Sequence, residues 1–424
     1  MSHRGPLAML IGVIVAGAGN GLAWAQTVVF TPSFSVQEEY DDNILRSPTK
    51  PESDFLTALR PGLRLEVRDP PWYVTLGGLV RAELFAARSD LDNFTDNASG
   101  SGTVEFRPTS TFNVSLADTF TRSISPLSII GATGPVAPVT GIGITGRFAS
   151  TDNVVTSAGR YQITPLTLLG VGYSLDTFRS DAPGGRNSDA QTADVSLQRR
   201  FSLQDSGTFR YAFNHFVVAG LPDVDSHFHR VGLIHGFSPT IQVSAEGGAI
   251  FLQRSGRSMQ VDVGGTVRYQ QQFSPRESLS VAYDRSPQLA GRISGAGNTQ
   301  SVTTITRLQV TQTLGVALNS VFSDTPSSGG TAGLRIFSTG IDINYRPTRA
   351  LTFALAPTVS DNRSSDRTVD FRLYSGTARV TYQFLRWLSL DGEYRLERQV
   401  DRTGPNDVQR NVFFLGLTAS DQFR

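Results

Sequence analysis

The chain contains no cysteine and a single lysine, Lys50, and beyond its first two dozen residues it has no long apolar run. Without cysteine there is no disulfide framework, no thiolate zinc site, no iron–sulfur cluster and no thiol nucleophile. Without about 18 consecutive apolar residues there is no transmembrane helix. Neither sign of charge dominates. The 38 Lys+Arg and 37 Asp+Glu leave a formal net charge of +1, which gives no general reason to expect nucleic acid or an anionic surface as partner. Charged residues make up only 18% and the mean hydropathy is -0.14, averages that on their own describe a soluble secreted protein.

What is present changes that description. Residues 1–25 read as a secretory signal: Arg4 in a short polar start, an apolar stretch from Leu7 to Ala18, a break at Gly19-Asn20-Gly21, and Ala23-Trp24-Ala25 as a small-x-small cleavage site before Gln26. The apolar stretch is too short to span a bilayer. The expected division is therefore a signal over 1–25 and a single exported domain over 26–424. In an oxidising envelope the lack of cysteine means only that no disulfide is used.

The rest of the chain alternates apolar and polar residues. Leu166–Phe178, Thr192–Arg200, Phe209–Val217, Val261–Tyr269 and Leu388–Leu396 all show a period of two, which means strands with two unlike faces. Each is 9 residues or longer. Strands of soluble domains cluster near about 5–6 residues, whereas a tilted strand crossing a bilayer takes about 9–11.

Short turns recur at positions 71, 108, 165, 204, 239, 275, 313, 347 and 386, and all but one of the gaps between them lie between 34 and 39 residues. Each gap holds two strands and a longer connection rich in Gly, Ser, Asp and Asn. A propeller blade would have to pack four short strands into that length. Only two long ones fit. Nine short turns plus a strand at each end predict an all-β, transmembrane, antiparallel up-and-down β-barrel of about 20 strands (18 to 22), with short periplasmic turns and longer external loops. Trp72, Tyr73, Phe106, Phe112, Tyr161, Phe201, Phe209, Phe237, Phe273, Tyr345, Phe353, Phe384 and Trp387 cluster beside the short turns, as an interfacial girdle would.

Parity then assigns faces. With Val171, Tyr173, Val195, Leu197, Phe209, Tyr211, Phe213, Val261, Val263, Val267 and Tyr269 toward lipid, the charges fall on the other face. The lumen-lining set expected is Arg60, Arg64, Arg81, Glu83, Asp194, Arg200, Arg210, Glu246, Asp262, Arg268, Arg307, Asp342, Arg379, Asp391, Glu393 and Arg395, together with Glu66, Asp176 and Asn214. Both signs occur inside, which suggests a mixed lumen of weak ion preference. Side chains alone cannot fill so wide a barrel, so a channel or a plug must.

Near the start, Phe34-Ser-Val-Gln-Glu-Glu-Tyr40-Asp41-Asp42-Asn43-Ile44 is followed by Ser53-Asp54-Phe55-Leu56 and Pro61-Gly62-Leu63-Arg64-Leu65. This opening resembles the beta-barrel porin 2 family of outer-membrane proteins, and the hairpin rhythm extends the resemblance over the remainder. The resemblance implies an outer-membrane barrel, in some members associated with exopolysaccharide or capsule production. Bacterial barrels commonly end on an aromatic residue, whereas here Phe423 is followed by Arg424, with Asn411–Leu417 serving as the last strand.

Four further constellations compete with bland readings. The longest connection, Ser123–Gly146, carries no charge and is expected either to fold inward as a constriction, with Ser125, Ile129, Pro135, Pro138, Ile142 and Arg147 as its candidate residues, or to lie outside against lipopolysaccharide. Its Gly141-x-Gly143-x-x-Gly146 follows no buried strand and opens no helix, so it is not read as a dinucleotide site. Asp223, Asp225, His227 and His229 alternate and, with His215 and His235 nearby, are weak candidates for a borderline divalent metal. The clusters Asp41-Asp42-Asn43 and Asp90–Asp96 offer oxygen ligands for Ca2+ or for cation bridges to lipopolysaccharide. Every basic residue except Lys50 is arginine, which suits carboxylate or phosphate recognition but also follows from a GC-rich genome.

No Ser–His–Asp set and no paired carboxylates at a recognisable spacing occur, so no enzymatic site and no cofactor is expected. The reading is a porin-like barrel of a Gram-negative outer membrane that passes polar solutes. An accessory barrel of polysaccharide secretion is the alternative, and an outer-membrane hydrolase the outsider. Expected partners are outer-membrane lipid and lipopolysaccharide, the barrel assembly machinery and polysaccharide export components, with no nucleic acid.

Overall fold

In the computed structural model the described residues are 27–124, 148–181, 187–289, 296–326, 333–367 and 370–423. The signal expected over 1–25 and the constriction candidates Ser125, Ile129, Pro135, Pro138, Ile142 and Arg147 lie outside them.

Alternating side chains give no helical stripe to bury, and the described chain is almost wholly extended. β1 (Thr27–Asp41) pairs with β2 (Asp54–Asp69), and β3 (Trp72–Val80) and the short β4 (Ala82–Phe85) follow one another along the other edge of β2. β5 (Ala98–Thr109), β6 (Phe112–Ser123), β7 (Ser150–Thr164), β8 (Thr167–Ser180) and β9 (Ser188–Arg200) come next. β10 (Asp205–Val218), β11 (Val224–Ser238), β12 (Ile241–Arg254), β13 (Gln260–Ser274), β14 (Glu277–Leu289) and β15 (Ala296–Gln309) continue the wall. β16 (Leu314–Thr325), β17 (Leu334–Tyr345), β18 (Leu351–Ser364), β19 (Asp370–Leu385), β20 (Leu388–Asp401) and β21 (Val408–Ser420) complete it. The one helical turn described is Ser89–Leu91.

Every neighbouring pair is antiparallel, and β1 returns to pair with β21 from Ser33↔Ser420 to Asp41↔Val412, so the sheet closes. Because β3 and β4 share one edge of β2 and are interrupted only at Arg81, the 21 segments make a wall of 20 strands. Closure removes both sheet edges, which an open sheet in lipid could not satisfy. Beyond the last strand, Phe423 exchanges backbone hydrogen bonds with Phe30 at 2.8 and 2.9 Å, so the penultimate residue extends the seam.

Eight of the nine short turns fall where the spacing places them, and the one expected at position 108 lies just beyond, at Ser110-Thr111, since Pro108 sits in an irregular stretch at the end of β5; all nine are at one end. Hydroxyls shape several. Ser202 Oγ accepts from the backbone N–H of Gln204 and Asp205, and Thr311 Oγ1 from those of Thr313 and Leu314. Gly247-Gly248 on β12 face Gly265-Gly264 on β13. A Cβ on Gly248 would run into the His229 carbonyl on β11, and one on Gly265 into the Glu246 carbonyl on β12, so glycine lets β11, β12 and β13 lie together there.

Register carries one parity unbroken round the closed sheet. The outward parity bears exposed apolar side chains: Leu63 on β2, Val171 on β8, Phe209 on β10, Val263 on β13 and Leu355 on β18 among them. Aromatic pairs ring its short-turn end, Trp72–Phe106 at 4.3 Å, Phe112–Tyr161 at 6.3 Å and Tyr345–Phe353 at 6.1 Å between centroids. Tyr73 is the exception in the expected girdle, since its rung with Arg68 turns inward. A second aromatic row near the loops includes Tyr40–Phe55 at 5.0 Å and Tyr394–Phe413 at 4.5 Å. The inner face differs by depth. Toward the loops it is screened from solvent, with Ala58, Phe178, Phe228, Ile250, Ser360 and Val412 buried, whereas toward the short turns its side chains are largely exposed.

Candidate functional site

Of the 16 charged residues expected in the lumen, 15 share the inward parity by register, from Arg60 and Arg64 opposite Ser35 and Thr31 to Asp391 and Arg395 opposite Gly416 and Val412, while Arg81 falls at the interruption between β3 and β4. Parity does not sort every charge. Asp118, in the middle of β6, pairs with Gly102 and Val155 on the outward face beside Leu116. Its Oδ1 is buried without a hydrogen-bond partner.

The structure draws the inward charges into two groups. The first lies in the loop half at the seam between β1, β2, β20 and β21. Arg81 meets Glu39 at 2.8 Å and Glu83 at 2.7 Å, and Arg410 binds Asp41 at 2.6 Å and approaches Glu397 at 3.7 Å. Arg46 pairs with Glu397, while Arg379 and Arg395 both grip the buried Glu393. Among the described residues Arg60 makes no ion pair, and its buried Nε has no hydrogen-bond partner. Arg46, Arg60, Arg81, Arg395 and Arg410 outnumber Glu39, Asp41, Glu83 and Glu397 around a cavity of about 380 Å3.

Arg46 reaches this cavity from the connection after β1, with φ at 51°, a conformation side chains other than glycine's rarely adopt. Asn43 holds it there: its Nδ2 donates to the Ser47 and Gln409 carbonyls, and its Oδ1 accepts from the Ser47 N–H. Burial lowers the Arg46 guanidinium to about 10, against the pull of Glu397. Local strain kept by such a network is typical of sites that need a side chain in one place.

The second group lies in the exposed short-turn half. Arg160, Arg200, Arg210, Arg268 and Arg307, on β7, β9, β10, β13 and β15, face inward and are exposed. Among the described residues none of the five has an ion-pair partner. Arg210 stands directly opposite Arg230, whose guanidinium lies 4.0 Å over the Phe228 ring and donates to Thr266. Acids near this level are already engaged: Glu66 by Arg64 and Arg68, Glu246 by Thr208, Asp342 by Asn319, Asp391 by Thr381. Asp262, deeper toward the loops, takes Arg285 at 2.8 Å, and Asp194 stands opposite Ala212, one rung from Arg210. Free guanidinium forks on a wet wall can hold carboxylates or phosphates transiently. The even count of signs in the sequence concealed this, since pairing takes up the acids preferentially near the loops. Arg160 was missed outright, although its alternation with Ala158 and Thr156 marks the face.

The candidate cation sites have other occupations. His227 and His229 project outward with Asp225, while Asp223 lies before β11 begins. Asp225 binds His215 at 2.7 Å, the Tyr211 hydroxyl binds His227 at 2.8 Å, and His235 pairs with Asp205 at 2.7 Å. Among the described residues no group of three or more His, Asp or Glu is placed to hold a metal ion. The acidic clusters serve as clamps. Asp42 takes both the backbone N–H and the Nδ2 of Asn411 at 2.6 Å, Asp92 takes the Phe85 N–H at 2.7 Å, and Asp96 takes Arg122 at 2.6 Å. Arg88 holds the exposed Asp90 carboxyl below its ordinary range.

No family model matches the chain, and no curated protein matches it in sequence. Solved structures match its shape. The FrpB iron transporter from Neisseria meningitidis covers 92% of this chain with 82% of its own, at a TM-score of 0.54 and 8% identity. The ferric-catecholate import receptor Fiu from E. coli K12 covers 93% with 82% of its own, at 0.52 and 10% identity. The ferric enterobactin receptor PfeA of Pseudomonas aeruginosa covers 92% with 81% of its own, at 0.52 and 9% identity. At such identities the likeness establishes a shared fold, the closed antiparallel barrel.

Proposed function

We propose that the chain is an outer-membrane barrel providing a porin-like passage for polar solutes, with anionic solutes favoured. The observation that carries the reading is the arc of exposed, unpaired arginines on the inner face of the periplasmic half. The outward apolar band between two aromatic rows supports the membrane location. Among the described residues nothing folds as a separate body inside the wall. The structural neighbours are named for iron transport and for ferric-catecholate and ferric enterobactin reception, which agrees with transport in general.

The test is electrical. Full chain reconstituted in planar bilayers should give discrete conductance steps, with a reversal potential of anion sign in a KCl gradient. The triple variant Arg200→Gln/Arg268→Gln/Arg307→Gln should move that potential toward cations. Silence at every salt concentration ends the proposal. The resemblance of residues 34–65 to a family with exopolysaccharide-associated members favours a second reading, an accessory role in polysaccharide secretion. Loss of surface polysaccharide on deletion, with solute uptake unchanged, would select it.

A further inference from the structure

One outward sector gathers several charges of both signs. At the external end of β17 to β20, successive rungs place Arg335 opposite Arg363, Arg363 opposite Asp370, and Asp361 opposite Arg372. These share the outward parity of Phe337, Tyr374 and Ile341, while the opposite parity at the same level, Ile336, Asn362 and Phe371, is buried. Three guanidiniums converge on one carboxylate: Arg363, Arg372 and Arg402 approach Asp361 at 2.9, 3.0 and 2.8 Å. Arg402 also reaches Asp370 at 3.3 Å, and Arg335 reaches Asp324 at 3.5 Å. One rung lower, Arg398 is exposed opposite Tyr374 and has no acidic partner among the described residues. Five arginines against Asp324, Asp361 and Asp370 leave excess positive charge on an outward surface, with fork donors still open to solvent.

The geometry points to a binding site for a phosphorylated glycolipid of the outer leaflet. Its phosphate would complete the arginine cluster and its acyl chains would lie on the apolar rungs below. A guanidinium fork matches phosphate oxygens two at a time, which a carboxylate shared by three arginines cannot saturate. Phe337 lies one rung below Arg335 and Tyr374 one rung below Arg372, with Ile341 and Leu355 lower still, the order of a headgroup, interface and hydrocarbon boundary. The inference rests on the outer-membrane placement proposed above and is independent of any channel activity.

The test uses detergent-solubilised full chain and fluorescent bisphosphorylated lipid A, with its dephosphorylated counterpart and inorganic phosphate as controls. The variant Arg335→Gln/Arg398→Gln leaves the three arginines on Asp361 in place, so the fold is retained, and a second variant, Arg363→Gln, opens that group itself. Lipid A should bind about tenfold more weakly to either variant. The dephosphorylated lipid should bind equally weakly to all three proteins, and inorganic phosphate should fail to displace the lipid. Equal affinity of wild type and both variants overturns the proposal, as does indifference to the phosphates. Displacement by inorganic phosphate alone would assign the site to the free anion instead. Self-association of the wild type that disappears in Arg335→Gln/Arg398→Gln would assign the surface to a second copy. Bilayer conductance that fails while lipid binding survives would remove only the passage reading.

Discussion

Arg410 on β21 binds Asp41 on β1 through both Nε and Nη2, at 2.9 and 2.6 Å from one carboxylate oxygen, and so ties the last strand of the wall to the first. Asp42 adds its two bonds to Asn411, and Asn43 reaches the Gln409 carbonyl. The run Asp41-Asp42-Asn43 at the end of β1 is thus a clasp on the barrel's seam. Both members of the Arg410–Asp41 pair are largely buried, so removing one leaves a desolvated charge without its partner.

Arg410→Ala or Asp41→Ala should therefore cost about 3–5 kcal/mol. Urea unfolding of the barrel in lipid vesicles measures this, and heat-resistant mobility on gels should fall in parallel. Asp42→Ala removes hydrogen bonds at the same seam and should cost less, about 1–3 kcal/mol. A wild-type midpoint for Asp41→Ala would show that the seam does not depend on the clasp.

The barrel was legible because its signals are local. A strand shows its period within ten residues, and a turn declares itself through Pro, Ser or Thr beside an aromatic. The clasp was not legible, because Asp41 and Arg410 are 369 residues apart and meet only when the sheet closes. The same distance hid the difference between paired and free arginines. For the histidines the alternation was real, but strand parity turns His227 and His229 away from the lumen, and Asp223 falls short of the strand. Asp118 was legible and overlooked: Phe112, Val114 and Leu116 set a rhythm that puts it outward.

Asp118 yields the next prediction. A carboxylate in the middle of the outward apolar row, with one oxygen buried and unpartnered among the described residues, is destabilising in the membrane setting proposed above wherever it has no other task. Asp118→Leu should raise stability by about 1–3 kcal/mol in the same urea assay. A loss of stability would mean that the carboxylate is bound by something in the membrane.

Packing in the loop half makes a third. Phe228 on β11 is 1% exposed and Ile250 on β12 0%, and both reach over Gly264 on β13. Phe228→Ala should cost about 3–5 kcal/mol. A Cβ on Gly264 would stand 2.8 Å from the Phe228 ring, 2.5 Å from Ile250 and 2.5 Å from the Arg285 carbonyl. Gly264→Ala should then cost about 1–3 kcal/mol. The backbone carbonyl cannot withdraw, so adding Phe228→Ala should not rescue it. Full rescue in the double variant would show that the side chains alone oppose the methyl group.

The last prediction concerns a conflict between stability and passage. Arg210 and Arg230 face each other across one rung, and like charges in that position repel. Arg230 has Thr266 and the Phe228 ring, with Asp284 at 3.9 Å, whereas Arg210 has no ion pair among the described residues and shares the inward parity. Arg210→Gln should therefore raise stability by about 0.2–1 kcal/mol while shifting the reversal potential toward cations. The two measurements together are decisive. A protein stabilised with unchanged selectivity would make Arg210 a bystander, whereas a shift in both identifies it as a residue retained against the interest of the fold. Arg230→Gln should behave oppositely, losing stability because its bonds to Thr266 and the ring are lost, with a smaller effect on selectivity because its guanidinium is already engaged.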